Sequence, residues 1–194
     1  MGATFVVVGL GNPGDRYDRT RHNMGAEVVK YLTRTEGLSL SFKKACNFLG
    51  AEVKLEGIST LLVFPQSFMN NSGRPVSCVM SRNPLVSVES LVVVHDELDL
   101  PVGTVRVKKG GGLAGHNGLK SLSHHVGSND FIRVRVGIDR PKSGGDVSNW
   151  VLSRPSAEER EVLDSAIERA GEAVRSIIRD GVDRAMNNFN VTTK

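Results

Sequence analysis

Apolar residues along this chain fall into three patterns. Phe5–Val8 and Leu91–Val94 are continuous and largely β-branched, as in strands buried on both faces. Ile132–Ile138 alternates instead, with Ile132, Val134, Val136 and Ile138 on one face and Arg133 and Arg135 on the other. Phe48–Val53 and Ser59–Phe64 predict two strands around a turn at Glu56-Gly57, and Thr104–Lys108 predicts another before the triple glycine Gly110–Gly112. The third pattern is helical. Val28, Val29 and Leu32 recur at helical spacing between Asn23, a candidate cap, and Gly37. Pro75, Val76, Val79 and Met80 follow Ser72-Gly73 as a helix opening with proline in its first turn. Asn117–His125 reads as a helix that His124-His125 closes with favourable charge. From Ser156 a long apolar stripe runs through Leu163, Ile167, Val174 and Ile178, and Ser156 with Glu159 has the capping-box spacing. A short helix near Val182–Asn188 follows Asp180-Gly181. No repeat or linker interrupts this mixture, which predicts one α/β domain over residues 1–194 with a largely buried, twisted sheet.

Composition narrows the picture. No apolar stretch approaches the roughly 20 residues that span a bilayer, and Phe5–Val8 is too short for a signal peptide. Cys46 and Cys78 have neither a metal spacing nor a disulfide framework, so a reducing cytoplasm is the expected compartment. Net charge is +4 but uneven: between Val102 and Gly145 eight basic residues face two acids. A basic block on a near-neutral body fits a polyanionic partner, phosphates above all.

Gly9-Leu10-Gly11-Asn12-Pro13-Gly14 spells G-x-G-x-x-G after a strand. A dinucleotide loop needs its helix to begin within those glycines. Here Pro13 removes a donor, Asp15–Arg21 carries no apolar stripe, and the acidic residue expected about 20 positions on is missing. The nicotinamide oxidoreductase reading therefore fails at its first requirement.

Polar residues at strand ends carry the better chemistry. Asn12 follows the first strand, His22 lies in the loop it enters, and Asp96 follows Leu91–Val94. Ligand sites gather at the carboxyl ends of such strands, and a histidine held by a carboxylate is a suitable general base for water. Asn12, Asn23, Asn70, Asn71 and Asn117 sit at element junctions, where neutral amides can hold a peptide-like group or polarise a carbonyl. Ser67 and Ser72 lie in QSFMNNSG, which is not a nucleophile elbow. The acids of HDELD (His95–Asp99) are not at helical ligand spacing, so no metal is expected.

Four segments together resemble the bacterial-type peptidyl-tRNA hydrolase family: VVGLGNPGDRYDRTRHNMG (Val7–Gly25), FPQSFMNNSGRPV (Phe64–Val76), VVHDELDLPVGTVRVKKGGGLAGHNGLKSL (Val93–Leu122) and FIRVRVGIDRP (Phe131–Pro141). The resemblance spans nearly the whole chain. It implies a single three-layer α/β/α domain with a twisted mixed sheet, monomeric, cytoplasmic and without cofactor. The implied reaction cleaves the ester joining a peptide to tRNA, with peptidyl-tRNA as partner. His22 falls on the family's catalytic base, Asp96 on its partner, and Asn12 on the residue that senses the peptide amide. Tyr17, Phe68, Met69, Asn70 and Asn117 fall on substrate-binding positions, and Lys108 and Arg135 on basic positions credited with tRNA contact. One stretch departs. Where relatives often carry GGGHGGHNGLK this chain has GGGLAGHNGLK, and Ala114 is harmless there only if its φ is not positive. The competing expectation is a non-catalytic RNA-binding relative of the same fold.

Overall fold

Both continuous apolar runs lie side by side at the centre of a sheet. The computed structural model describes residues 3–142 and 144–191. Within them the strands are β1 (Phe5–Gly9), β2 (Ser41–Lys43), β3 (Phe48–Leu55), β4 (Ile58–Pro65), β5 (Leu91–Glu97), β6 (Val105–Lys109) and β7 (Ile132–Gly137). They form one sheet in the order β2-β3-β4-β1-β5-β7-β6. The four inner strands β4, β1, β5 and β7 run parallel, whereas β2/β3, β3/β4 and β6/β7 pair antiparallel. Val6, Val7, Val8, Val92, Val93 and Val94 are fully buried, which is why neither run alternates.

The helices are α1 (Met24–Thr35), α2 (Gly73–Arg82), α3 (Asn117–Val126), α4 (Val147–Val151), α5 (Ala157–Asp180) and α6 (Val182–Phe189). One face of the sheet packs Val7, Val92, Val94 and Val134 against Val28, Val29 and Leu32 of α1 and Leu163, Ala170 and Val174 of α5. The other packs Val6, Val8, Leu91 and Val93 against Val76 and Val79 of α2 and Leu119 and Leu122 of α3. Each such fully buried Val or Leu contributes about 1.5–3 kcal/mol over exposure. The three-layer mixed α/β expectation holds. The predicted Ser156–Glu159 capping box is formed in both directions.

The glycines of the opening loop serve packing. A Cβ on Gly9 would sit 2.1 Å from the Gly25 carbonyl oxygen, and one on Gly25 would sit 2.1 Å from that of Val94. Their bare backbones let the start of α1 press directly onto β1 and β5. The helix begins at Met24, ten residues beyond Gly14 and not within the glycine run.

Two expectations are corrected. Asn23 occupies the N-cap position of α1 but its side chain makes no cap hydrogen bond, because it is used elsewhere. Cys46 and Cys78 form a disulfide, with Cα atoms 5.5 Å apart, where no disulfide was expected. The turn at 44–47 folds back onto α2 and brings together two residues separated by 32 positions.

Candidate active site

Three strand ends converge on one cleft of about 480 Å³: Asn12 after β1, Phe68–Asn70 after β4, and Asp96 near the end of β5. His22, His116 and Asn117 complete its polar wall, while Val147, Val151 and Leu152 give it an apolar side. A larger cavity, about 670 Å³, lies between α1 and α5. Several of its charged groups are committed to one another, with Lys30 on Asp18 and Arg160 on Glu27 and Asp164. Chemistry therefore belongs to the smaller cleft.

His22 sits in a single turn of 3-10 helix, Arg21–Asn23, held from both sides. The Arg21 guanidinium lies 3.6 Å from the Trp150 ring centroid and donates to Ser153 Oγ at 2.5 Å and Glu159 at 2.6 Å. Asn23 accepts from the Asn12 N–H and donates back to the Asn12 carbonyl, both at 2.9 Å. This amide clamp fixes the backbone of the residue beside the histidine. Asn12 Oδ1 in turn accepts the Met69 N–H at 2.7 Å, leaving only the amide NH₂ of Asn12 uncommitted.

Asp96, 2% exposed, is satisfied by two imidazoles. His22 Nδ1 lies 3.0 Å from both carboxylate oxygens, and His116 Nε2 lies 2.9 Å from Oδ1. Backbone groups assign the His116 proton. The N–H groups of Gly118 and Leu119, at the start of α3, donate to His116 Nδ1. The His116 proton is therefore on Nε2 and points at Asp96. His22 likewise donates Nδ1–H, which leaves its Nε2 lone pair free in the cleft. Burial would push the Asp96 carboxyl up, yet both imidazoles hold it well below the ordinary carboxylate range. Burial lowers His22, but the Asp96 charge and hydrogen bond outweigh it and raise that imidazole above its usual value.

Among the described residues, the ligand atoms of His22, Asp96 and His116 lie within 4.8 Å of one another, a spacing that could hold a metal ion. The proton assignment opposes it. Ligation through His116 Nε2 would put a proton on Nδ1, against two backbone donors already aimed there.

Behind this layer His95 is fully buried and donates Nδ1–H to the Asp96 carbonyl at 2.7 Å. Burial, reinforced by neighbouring His116, pushes its pKa down to about 3, so it is a neutral wedge.

Of the residues singled out from sequence, Asn12, His22, Phe68, Met69, Asn70, Asp96 and Asn117 all line the cleft. Tyr17 does not line it but meets exposed Phe68 edge-on, ring centroids 6.1 Å apart. Lys108 and Arg135 lie outside it. Arg135 is bound to Glu97 at 3.0 Å, and Lys108 underlies Gly111. Sequence reasoning passed over His116, the clamping role of Asn23, and Arg133, which donates to the carbonyls of Gly110 and Gly112. The signal for His116 was its place just before the Asn117 helix, a capping position. Ala114 has φ +48°, so the substituted loop carries a left-handed alanine, and half-buried Leu113 packs against the α2/α3 core.

The chain resembles known proteins along nearly its whole length. The family model described as peptidyl-tRNA hydrolase matches residues 6–194. A peptidyl-tRNA hydrolase of Rubrobacter xylanophilus is 48% identical over 94% of this chain and 98% of its own. One from Rhodococcus opacus is 44% identical over 96% and 98%. The crystal structure of peptidyl-tRNA hydrolase from Acinetobacter baumannii superposes with a TM-score of 0.90 at 35% identity, covering 98% of this chain and 97% of that one.

Proposed function

The chain belongs to the peptidyl-tRNA hydrolase family, and from that premise we propose that His22 is the general base of its ester hydrolysis and Asp96 the group that orients it. The observation that carries this reading is the His22 Nδ1 bond to Asp96, which leaves Nε2 as a base in the cleft. Nε2 takes a proton from water as the oxygen attacks the carbonyl that joins peptide to terminal ribose. Asp96 stabilises the imidazolium so formed. The same proton then passes to the ribose oxygen as the ester bond breaks.

Amides of Asn12, Asn70 and Asn117 hold the peptide end, and a donor placed on the developing oxyanion is worth about 3 kcal/mol of barrier. Because Asn12 Oδ1 is taken by Met69, that amide can only donate. It suits a peptide carbonyl and offers nothing to a free α-ammonium, so aminoacyl-tRNA is spared. Tyr17, Phe68 and Met69 form the apolar contact surface for substrate. Lys108 and Arg135 serve tRNA phosphates, with affinity that falls as salt rises. No helix among the described residues is long and apolar enough to cross a membrane. On this reading the protein acts as a cytoplasmic monomer, with no cofactor or metal.

The test is incubation with N-acetyl-aminoacyl-tRNA and with unblocked aminoacyl-tRNA. Cleavage of the first alone is expected. His22→Ala should lower kcat by about 10³-fold or more while tRNA binding persists. Binding of both RNAs without cleavage would instead support a non-catalytic RNA-binding protein.

A further inference from the structure

The turn at 44–47 grips the Phe68–Asn70 segment from both ends. Upstream, Asn47 accepts from the Gln66 N–H and donates its amide to the Gln66 carbonyl, each at 2.9 Å. Downstream, Cys46 of the same turn is bonded to Cys78 on α2, the helix that the segment leads into. On its cleft side the segment is held by the Met69 bond to Asn12. The disulfide therefore closes a brace behind residues that line the cleft.

We propose that Cys46–Cys78 is a reversible redox site whose reduction loosens the Phe68–Asn70 wall and weakens substrate binding without touching His22 or Asp96. This rests on the reading of that segment as substrate-binding. A pocket of about 580 Å³ gives access to the bond, lined by Ser67, Asn71 and Arg74 beside both cysteines. Cys46 is buried, whereas Cys78 is half-buried at the pocket wall, so attack falls on Cys78 Sγ. A thiolate of a dithiol reductant bonds to that sulfur, the S–S bond breaks, and Cys46 leaves as a thiolate that takes a proton. The reductant's second thiol then displaces Cys78 and departs as a cyclic disulfide, two electrons having passed to the protein. Exchange with a small-molecule disulfide runs the sequence backwards.

The experiment equilibrates the full chain with mixtures of reduced and oxidised dithiothreitol, counts its thiols, and measures KM and kcat with N-acetyl-aminoacyl-tRNA. Two thiols should appear and disappear together. On reduction KM should rise by about three- to tenfold, with kcat unchanged within about twofold. The C46S/C78S double variant should match the reduced protein and ignore the dithiol, and reduced, alkylated wild type serves the same purpose if that variant folds poorly. Thiols that never pair, or equal KM in both states, would overturn the proposal. Asn70→Ala in the oxidised protein separates the two readings. Unchanged KM there removes the substrate role of the segment while leaving the thiol titration standing.

Discussion

Two of the carboxylate clusters among the described residues, one in the cleft and one on the α1/α5 face, have cations that differ in kind. In the cleft, Asp96 is buried between His22 and His116, the His116 proton placed by backbone at the start of α3 and the His22 proton by Asp96 itself. On the α1/α5 face, Glu27 and Asp164 share Arg160, with Glu27 and Arg160 side chains each 12% exposed and Asp164 54% exposed. Burial would weaken the Arg160 charge, but its two carboxylates raise its pKa further, so it stays charged at any working pH. The outer cluster can only hold. The inner one pairs a fixed anion with an imidazole that changes charge near neutrality, so it can hold and also move a proton. Geometry alone would not distinguish them; the titration range of the partner does.

The largest break in this contrast is Asp96→Asn. An amide facing His22 Nδ1 favours the wrong tautomer, and kcat should fall by about 10⁴-fold with little change in fold. In the wild type, kcat/KM should rise with pH through an inflection above 6.5, because the folded His22 pKa is raised and only the neutral ring is a base. The variant's residual activity should show that inflection moved downward. Stability follows the opposite course for the histidine. Its raised pKa contributes stability in full below about 6.5, lost as pH climbs through the folded value. The lowered Asp96 pKa contributes above the ordinary 3.8 and is lost as pH falls towards the folded value. Both describe one interaction, which denaturant midpoints taken from about pH 2 to pH 9 would follow.

His116→Leu is the next effect down. It removes one of the two donors to Asp96 and uncaps α3, which cost respectively a charge-assisted bond of about 1.5–3 kcal/mol and a cap of about 1 kcal/mol. His22 still holds the carboxylate, so kcat should fall by about 10- to 100-fold, well short of Asp96→Asn. A kcat equal to wild type would make His116 a cap alone. His116→Asn, which can keep the cap, should recover stability more than activity, as melting curves and turnover would separate.

Legibility in the sequence tracked how local each cause was. The Ile132–Gly137 strand was readable because its alternation is written in adjacent residues, and the α5 cap because Ser156 and Glu159 are three apart. The edge strand Ser41–Lys43 was not, since all three residues are exposed and it exists only by pairing with β3. Most of the cleft was readable as polar residues at strand ends, from Asn12 to Asp96. Roles set by distant partners were hidden. Asn23 looks like a cap until Asn12 is seen folding against it, and His116 bonds across 20 residues to Asp96. The Cys46–Cys78 bond depends on a turn meeting a helix across two intervening strands.

The outer cluster gives the smallest effects, and splitting it sharpens the contrast. Glu27→Gln leaves a mostly buried guanidinium with one carboxylate, so about 2 kcal/mol of stability should be lost, between surface and buried ion pairs. Asp164→Asn touches a half-exposed partner at i,i+4 and should cost about 0.5 kcal/mol or less, fading as salt rises. Neither change should shift the pH inflection of kcat/KM, because Arg160 does not titrate in that range and neither acid lines the cleft. A shifted inflection in Glu27→Gln would mean that α1, which begins two residues after His22, transmits strain from its outer face to the imidazole. The two clusters would then be one coupled system, and the rate loss in a double variant with His116→Leu would exceed the product of the single losses.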